Sequence, residues 1–240
     1  MNRQPLWLAA ATISLAGAAA AAAGDAFLTV YLQQSFPKQT NTNKQIEQIN
    51  RTFGVDFDTW DDVANVSLGG QLFRQVSPAW RVGLEFDISR GGIDGRATVL
   101  TEAGPATLRF EQTYSVYTDV MALARFVPCG SCRTVVPFAL GGLGVAYEKD
   151  TTTLTLRNEV LDERLRVDND GFFPMFTAGV GVDAFLFGAS PWYLEVGASY
   201  VWARLDHMVK AKGSLAPAER VRADQDSTGP AWWLGLGRKL

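Results

Sequence analysis

Residues 79–90 read AWRVGLEFDISR. Trp80, Val82, Leu84, Phe86 and Ile88 share one parity, and Arg81, Gly83, Glu85, Asp87 and Ser89 share the other. Successive side chains of a strand point to opposite faces, so this period of two predicts an amphipathic β-strand. Three charges on one face and a Trp heading the other are unusual for a strand laid on a soluble core. They suit a strand that meets hydrocarbon on one side and an enclosed polar interior on the other.

The same alternation recurs along the chain. Strands are predicted at 26–33, 64–76, 79–90, 110–127, 135–148, 172–187, 192–205 and 231–240. In 110–127, Phe110, Tyr114, Val116, Val120, Ala122, Ala124 and Phe126 share a face. Glu111, Thr113, Ser115, Tyr117, Asp119 and Arg125 share the other, with Met121 and Leu123 as apolar exceptions. Short turns fall at Ser77-Pro78, at Cys129 to Cys132 and at Gly188 to Pro191. Long loops are expected at 39–62, 91–108, 149–170 and 207–228. Within the first, Ile46, Ile49 and Phe53 lie at helical spacing. That stretch (Asn43 to Phe53) reads as a short amphipathic helix or an irregular loop: a plug if it folds inward, a loop helix if outward. Even strand number with short turns at one end and long loops at the other predicts an all-β fold, an eight-stranded antiparallel up-and-down transmembrane β-barrel.

Composition narrows the classes. The 240 residues carry a net charge of −3 with both signs scattered, so no nucleic-acid partner is expected. Hydrophobic residues make up 47%, with a mean hydropathy of +0.01, far below that of a helical membrane protein. Met1-Asn2-Arg3, the apolar run 6–23 and the small residues Ala21 to Ala23 read as a secretory signal peptide over 1–23, ahead of a barrel at 24–240. A permanent membrane helix is the alternative for that run.

The distribution of charge decides between lipid and water outside. An Arg or Lys on the lipid face near midplane costs about 2–4 kcal/mol, so mid-strand charges should keep one parity within each strand. Arg81, Glu85 and Asp87 do, as do Glu111, Asp119 and Arg125, while Asp183 and Glu195 stand alone among small neighbours. Arg74, Arg204, Asp206 and Arg238 break the rule only near strand ends, where side chains snorkel to water. Trp192 and Trp202 share a face ten residues apart. At ~3.3 Å per residue and ~40° of tilt they are separated by about 25 Å along the membrane normal, the height of an apolar band between aromatic girdles. A soluble lipocalin-type barrel would instead carry more Lys and Glu on its polar face.

With PFALGGLGVAYE (137–148) and FTAGVGVDAFL (176–186), the alternating strands resemble the small outer-membrane barrels of Gram-negative bacteria, of the OmpA, OmpX and OmpW types. The resemblance covers residues 26–240. It implies the bacterial outer membrane, lipid and lipopolysaccharide as surroundings, and periplasmic chaperones and the barrel-assembly machinery as partners in biogenesis. A monomer without cofactor is expected. The role implied is envelope-structural or surface-interacting, with limited small-solute passage; a narrow OmpW-like channel is the alternative.

The candidate inward set is Arg81, Glu85, Asp87, Asp119, Arg125, Asp183 and Glu195. It serves either as a lumen network of ion pairs, which buried charges require, or as a cation-favouring passage lined by carboxylates. Cys129 and Cys132 have redox-motif spacing, but no second ligand pair exists for zinc and no strand feeds a helix there. In an oxidising periplasm a disulfide across the turn is expected. His207 is the single histidine. Lipid A-modifying barrels of the PagL type pair a His with a Ser two residues on, where this chain has Val209. No enzymatic activity and no metal site are expected.

Overall fold

The computed structural model describes residues 25–60, 65–186, 190–214 and 219–240. The proposed signal peptide therefore lies outside the described residues. The strands are β1 (Ala26–Ser35), β2 (Asn65–Ser77), β3 (Trp80–Thr101), β4 (Gly104–Phe126), β5 (Val135–Arg157), β6 (Asp162–Phe185), β7 (Trp192–Gly213), β8 (Glu219–Asp226) and β9 (Gly229–Lys239). One helix, α1 (Thr40–Phe53), follows β1. Each strand pairs antiparallel with its sequence neighbour, β6 with β7 and β7 with β9. The pairing of β1 with β9 closes the ring. β8 pairs with β7 above the β7–β9 ladder, so β8 and β9 together form the eighth wall strand, broken at Ser227–Thr228. The two ends are fastened side by side: Leu240 N donates to Ala26 O at 2.8 Å, and Lys239 Nζ stands 2.6 Å from Asp25 Oδ2.

The predicted partition holds across 79–90. Trp80, Val82, Leu84 and Ile88 are exposed on the outer surface, while Arg81 and Asp87 are buried in the interior. Trp192 and Trp202 are 42% and 46% exposed on that same apolar surface. Aromatic pairs mark its two edges: Trp80 with Phe126 near the short turns, and Tyr147 with Phe172 and Tyr200 with Trp202 toward the long connections.

Inside, an eight-stranded ring has room for side chains only. Space is made by setting large rings across from glycines. Tyr31 faces Gly69, Trp233 faces Gly197 and Tyr193 faces Gly237 in register. A Cβ on Gly197 would stand 2.1 Å from the Trp233 ring, and one on Gly69 2.2 Å from that of Tyr31.

Two expectations are corrected. In β4 the register slips between Tyr114 and Val116. This bulge reverses parity, because one extra residue turns every following side chain to the other face. Above it Phe110 and Tyr114 point inward and Glu111 outward; below it Met121 and Leu123 are buried beside Asp119 and Arg125 instead of being exceptions. The loops expected at 91–108 and 149–170, and the described part of 207–228, are continuations of the strands into long hairpins. They stand in water, so their outward positions carry Thr, Arg and Asp in place of apolar residues.

These hairpins and α1 build a second core above the barrel. α1 ends at Gly54, whose φ of 64° is the left-handed cap that glycine adopts most readily. Its Ile46, with Phe57 and Trp60 from the returning segment, packs against Ile93, Val99, Leu108, Phe110 and Tyr114. Polar side chains of α1 hold that segment: Asn50 Oδ1 accepts from Phe57 N at 2.9 Å and Asn43 Oδ1 from Trp60 N at 2.8 Å. Trp60 Nε1 donates to Gln112 Oε1 at 2.8 Å. α1 also lies against β8, so the segment 43–53 is the expected loop helix, packed as a cap across the mouth, and not a plug in the shaft.

Two substitutions probe these layers. Gly197→Val overpacks the lumen against Trp233 and should cost about 1–3 kcal/mol, read as a lower temperature for loss of the compact band on semi-native gels. Trp60→Ala removes a fully buried side chain, a change of ~3–5 kcal/mol. It should make α1 cleavable by trypsin at Lys44 or Arg51 while the barrel stays folded.

Candidate functional site

The candidate site is the lumen, and it is layered. Toward the short-turn end, Arg81 lies over the Phe27 ring at 3.8 Å. The Arg125 guanidinium is held between Phe73 and Phe138, at 4.1 and 3.8 Å. Their charges are met by two carboxylates. Arg81 Nη1 stands 2.7 Å from Asp183 Oδ2; Arg125 reaches Asp183 Oδ1 at 3.3 Å and Glu195 Oε1 at 2.9 Å. Glu195 also accepts from Trp233 Nε1 at 2.9 Å and from Thr29 Oγ1 at 3.0 Å. Arg125 Nη2 donates to Gln71 Oε1 at 2.7 Å, and the amide of Gln71 continues the chain of hydrogen bonds to Glu85. Arg125, Asp183 and Glu195 are all 0% exposed. Two positive and two negative charges thus close the shaft in one cluster. Ion pairs at such burial offset a desolvation cost of several kcal/mol per ion only when the remaining donors and acceptors are also engaged; they are on Glu195, while the Nε groups of Arg81 and Arg125 find no partner among the described residues.

Above the cluster the character changes. A hole of about 20 Å³ lies between Gln71, Glu85, Asp119, Met121 and Trp233. Beyond it is a partly open vestibule of about 60 Å³ under the cap, lined among others by Asp87, Asp119, Glu148, Tyr114 and Gln39. Asp87 and Asp119 face each other in register across β3 and β4. Ser67 Oγ donates to Asp87 Oδ2 at 3.0 Å.

All seven predicted residues therefore point inward, but they divide. Arg81, Arg125, Asp183 and Glu195 form the cluster, Glu85 adjoins it through Gln71, and Asp87 and Asp119 belong to the vestibule. Glu148 and Asp150 were missed. They continue the inward parity of Leu140 and Ala146 on β5, a signal masked by placing the strand's end at Glu148. The neutral partners Thr29, Gln71 and Trp233 carry no charge to mark them. The sulfurs of Cys129 and Cys132 are at bonding distance across their turn, with Cα atoms 5.4 Å apart. The backbone of His207 is in the outer part of β7; its side chain is outside the described residues. Among the described residues no three His, Cys, Asp or Glu side chains converge on a metal-sized site.

Ring closure, an apolar belt between aromatic edges and a polar, self-paired interior define the class: an eight-stranded antiparallel transmembrane β-barrel. No family model matches the chain and no curated protein matches it. Among solved structures it is similar to the outer membrane protein OprG from Pseudomonas aeruginosa, at 15% identity over 91% of this chain and 96% of that one, with a TM-score of 0.45. It is similar to Ail, the attachment invasion locus protein of Yersinia pestis, at 13% identity over 91% and 100%, TM-score 0.41. A major outer membrane protein from Thermus thermophilus shares 9% identity over 90% and 99%, TM-score 0.46. The class rests on the ring and its belt, not on these likenesses.

Breaking the cluster from one side is expected to be costly. Arg125→Met leaves Glu195 and Asp183 short of a cation and should lower stability by about 3–5 kcal/mol, measured by urea unfolding in detergent. Adding Asp183→Asn and Glu195→Gln should restore a substantial part, a coupling read from the mutant cycle.

Proposed function

We propose that this protein is a monomeric resident of the bacterial outer membrane, exported by residues 1–23, with a closed barrel as its anchor and the capped hairpin crown as its working surface. The observation that carries the reading is the fully buried Arg125–Asp183–Glu195 cluster set across the shaft. A pore is lined by side chains that face water; here the shaft is filled by side chains that face each other. The role is then structural or surface-interacting, and no catalytic step is part of it.

The crown's outer face supports lipopolysaccharide as the neighbour. Arg96 and Arg109 lie directly opposite each other on β3 and β4, and Thr155 and Arg164 extend the row. Like charges opposite one another destabilise a sheet unless an anion lies between them. Glu111 meets Arg109 at 3.1 Å, and phosphates of the lipopolysaccharide core supply the remaining anion, eight residues of strand above the Tyr147–Phe172 edge. At the other end the periplasm oxidises Cys129 and Cys132 to a disulfide that pins the β4–β5 turn.

A second reading, a narrow channel, is favoured by the acidic vestibule, which concentrates cations at the mouth. Planar bilayer recording separates the two. The closed anchor gives no steady conductance steps; cation-selective steps from the purified protein would replace it with the channel.

A further inference from the structure

We propose that the vestibule beneath α1 is a binding site for a small organic cation bearing N–H donors, of the alkylammonium or guanidinium class. This goes beyond the anchor role and rests only on the upper lumen's geometry. The lower cluster is balanced within itself, two arginines against Asp183 and Glu195. Asp87 and Asp119 stand outside that balance, and no described arginine or lysine lies within ion-pair distance of either. They sit opposite each other in register, an arrangement that costs free energy unless a positive group or a shared proton lies between them.

The independent observation is Asp119 itself. It is 6% exposed, and its Oδ1 has no hydrogen-bond partner among the described residues. A buried carboxylate oxygen left unpaired costs about 1–3 kcal/mol or more. Asp119 lines both the vestibule and the hole below it, so its side chain borders the space a ligand would fill.

The shape of the site selects the cation. Acidic groups do not converge closely enough to coordinate a bare metal ion among the described residues. The lining instead offers dispersed acceptors, Asp87, Asp119 and Ser89, with the Tyr114 and Tyr117 rings beside them. Dispersed acceptors are matched by a group that carries several N–H donors, and aromatic faces add cation–π attraction. A cavity of about 60 Å³, at ~10–15 Å³ per water-sized atom, holds roughly four to six such atoms. That is the size of a guanidinium or a short diamine. Pro37 and Gln39, which lead into α1, form part of the roof, so the cap is placed to move when the site is filled.

The test is calorimetric titration of the folded protein in detergent with 1,4-diaminobutane, with guanidinium, with tetramethylammonium and with magnesium. Saturable binding of 1,4-diaminobutane or guanidinium, none of tetramethylammonium, and at least tenfold weaker binding in Asp119→Asn support the proposal. Removing one of two facing charges should leave Asp119→Asn at least as stable as the parent without ligand. Where that variant does not fold, Asp87→Asn serves in its place, and the tetramethylammonium comparison needs no variant. No saturable binding to the parent would overturn the site, as would unchanged affinity in the variants or a magnesium complex that the amine does not displace. The result is separable from bilayer recording, since a closed anchor and a conducting barrel can each bind or fail to bind the amine.

Discussion

A guanidinium fixed in the middle of a narrow ring sets the terms for everything else in this molecule. The lumen around Arg125 leaves no space for a water column, so its charge must be answered by the wall itself. The wall answers from four directions, with Asp183 on β6, Glu195 on β7, Gln71 on β2 and the rings of Phe73 and Phe138. Each partner is in turn held by a neighbour, Glu195 by Trp233 and Thr29. The rings fit only because glycines stand opposite Tyr31, Trp233 and Tyr193. The Gly-rich inner faces are thus the spatial counterpart of a charged, aromatic interior.

The outside obeys a different solvent. In hydrocarbon every backbone group must be paired within the protein, which a closed ring achieves and an open sheet does not. The belt of Leu, Val and Trp then needs no partner. Beyond the Tyr147–Phe172 edge water returns, and the same strands exchange apolar outward residues for Thr and Arg while their inward residues become apolar enough to support α1. One continuous hairpin therefore serves two environments, with hydrophobic residues outside in the lower part and inside in the upper part.

That inversion explains what was legible in the sequence. Over 79–90 the alternation is undisturbed, and it revealed strand, faces and environment together. In β4 the slip between Tyr114 and Val116 exchanged the faces without any mark in composition, so Phe110 was read with the lipid side and Met121 as an anomaly. The hairpin crown was read as loop because its polar outer face resembles an unstructured stretch. The inward set of seven was found because a charge in hydrocarbon is too costly for chance. Which carboxylate meets which arginine was hidden: parity gives the face, but register between strands gives the partner, and Arg81 and Asp183 are 102 residues apart.

The fastening of β1 to β9 has a consequence for biogenesis. The hub residue comes from the middle of the chain, while Glu195 and Trp233 arrive near its end. Until β9 has docked on β1, no intermediate sheet can shelter the Arg125 charge with all of its partners. Partial walls are therefore poor stopping points, and insertion is driven toward an all-or-none event. Contacts between strands far apart in the chain are slow to form, so β9, by docking on β1, is the strand whose arrival commits the rest to the bilayer.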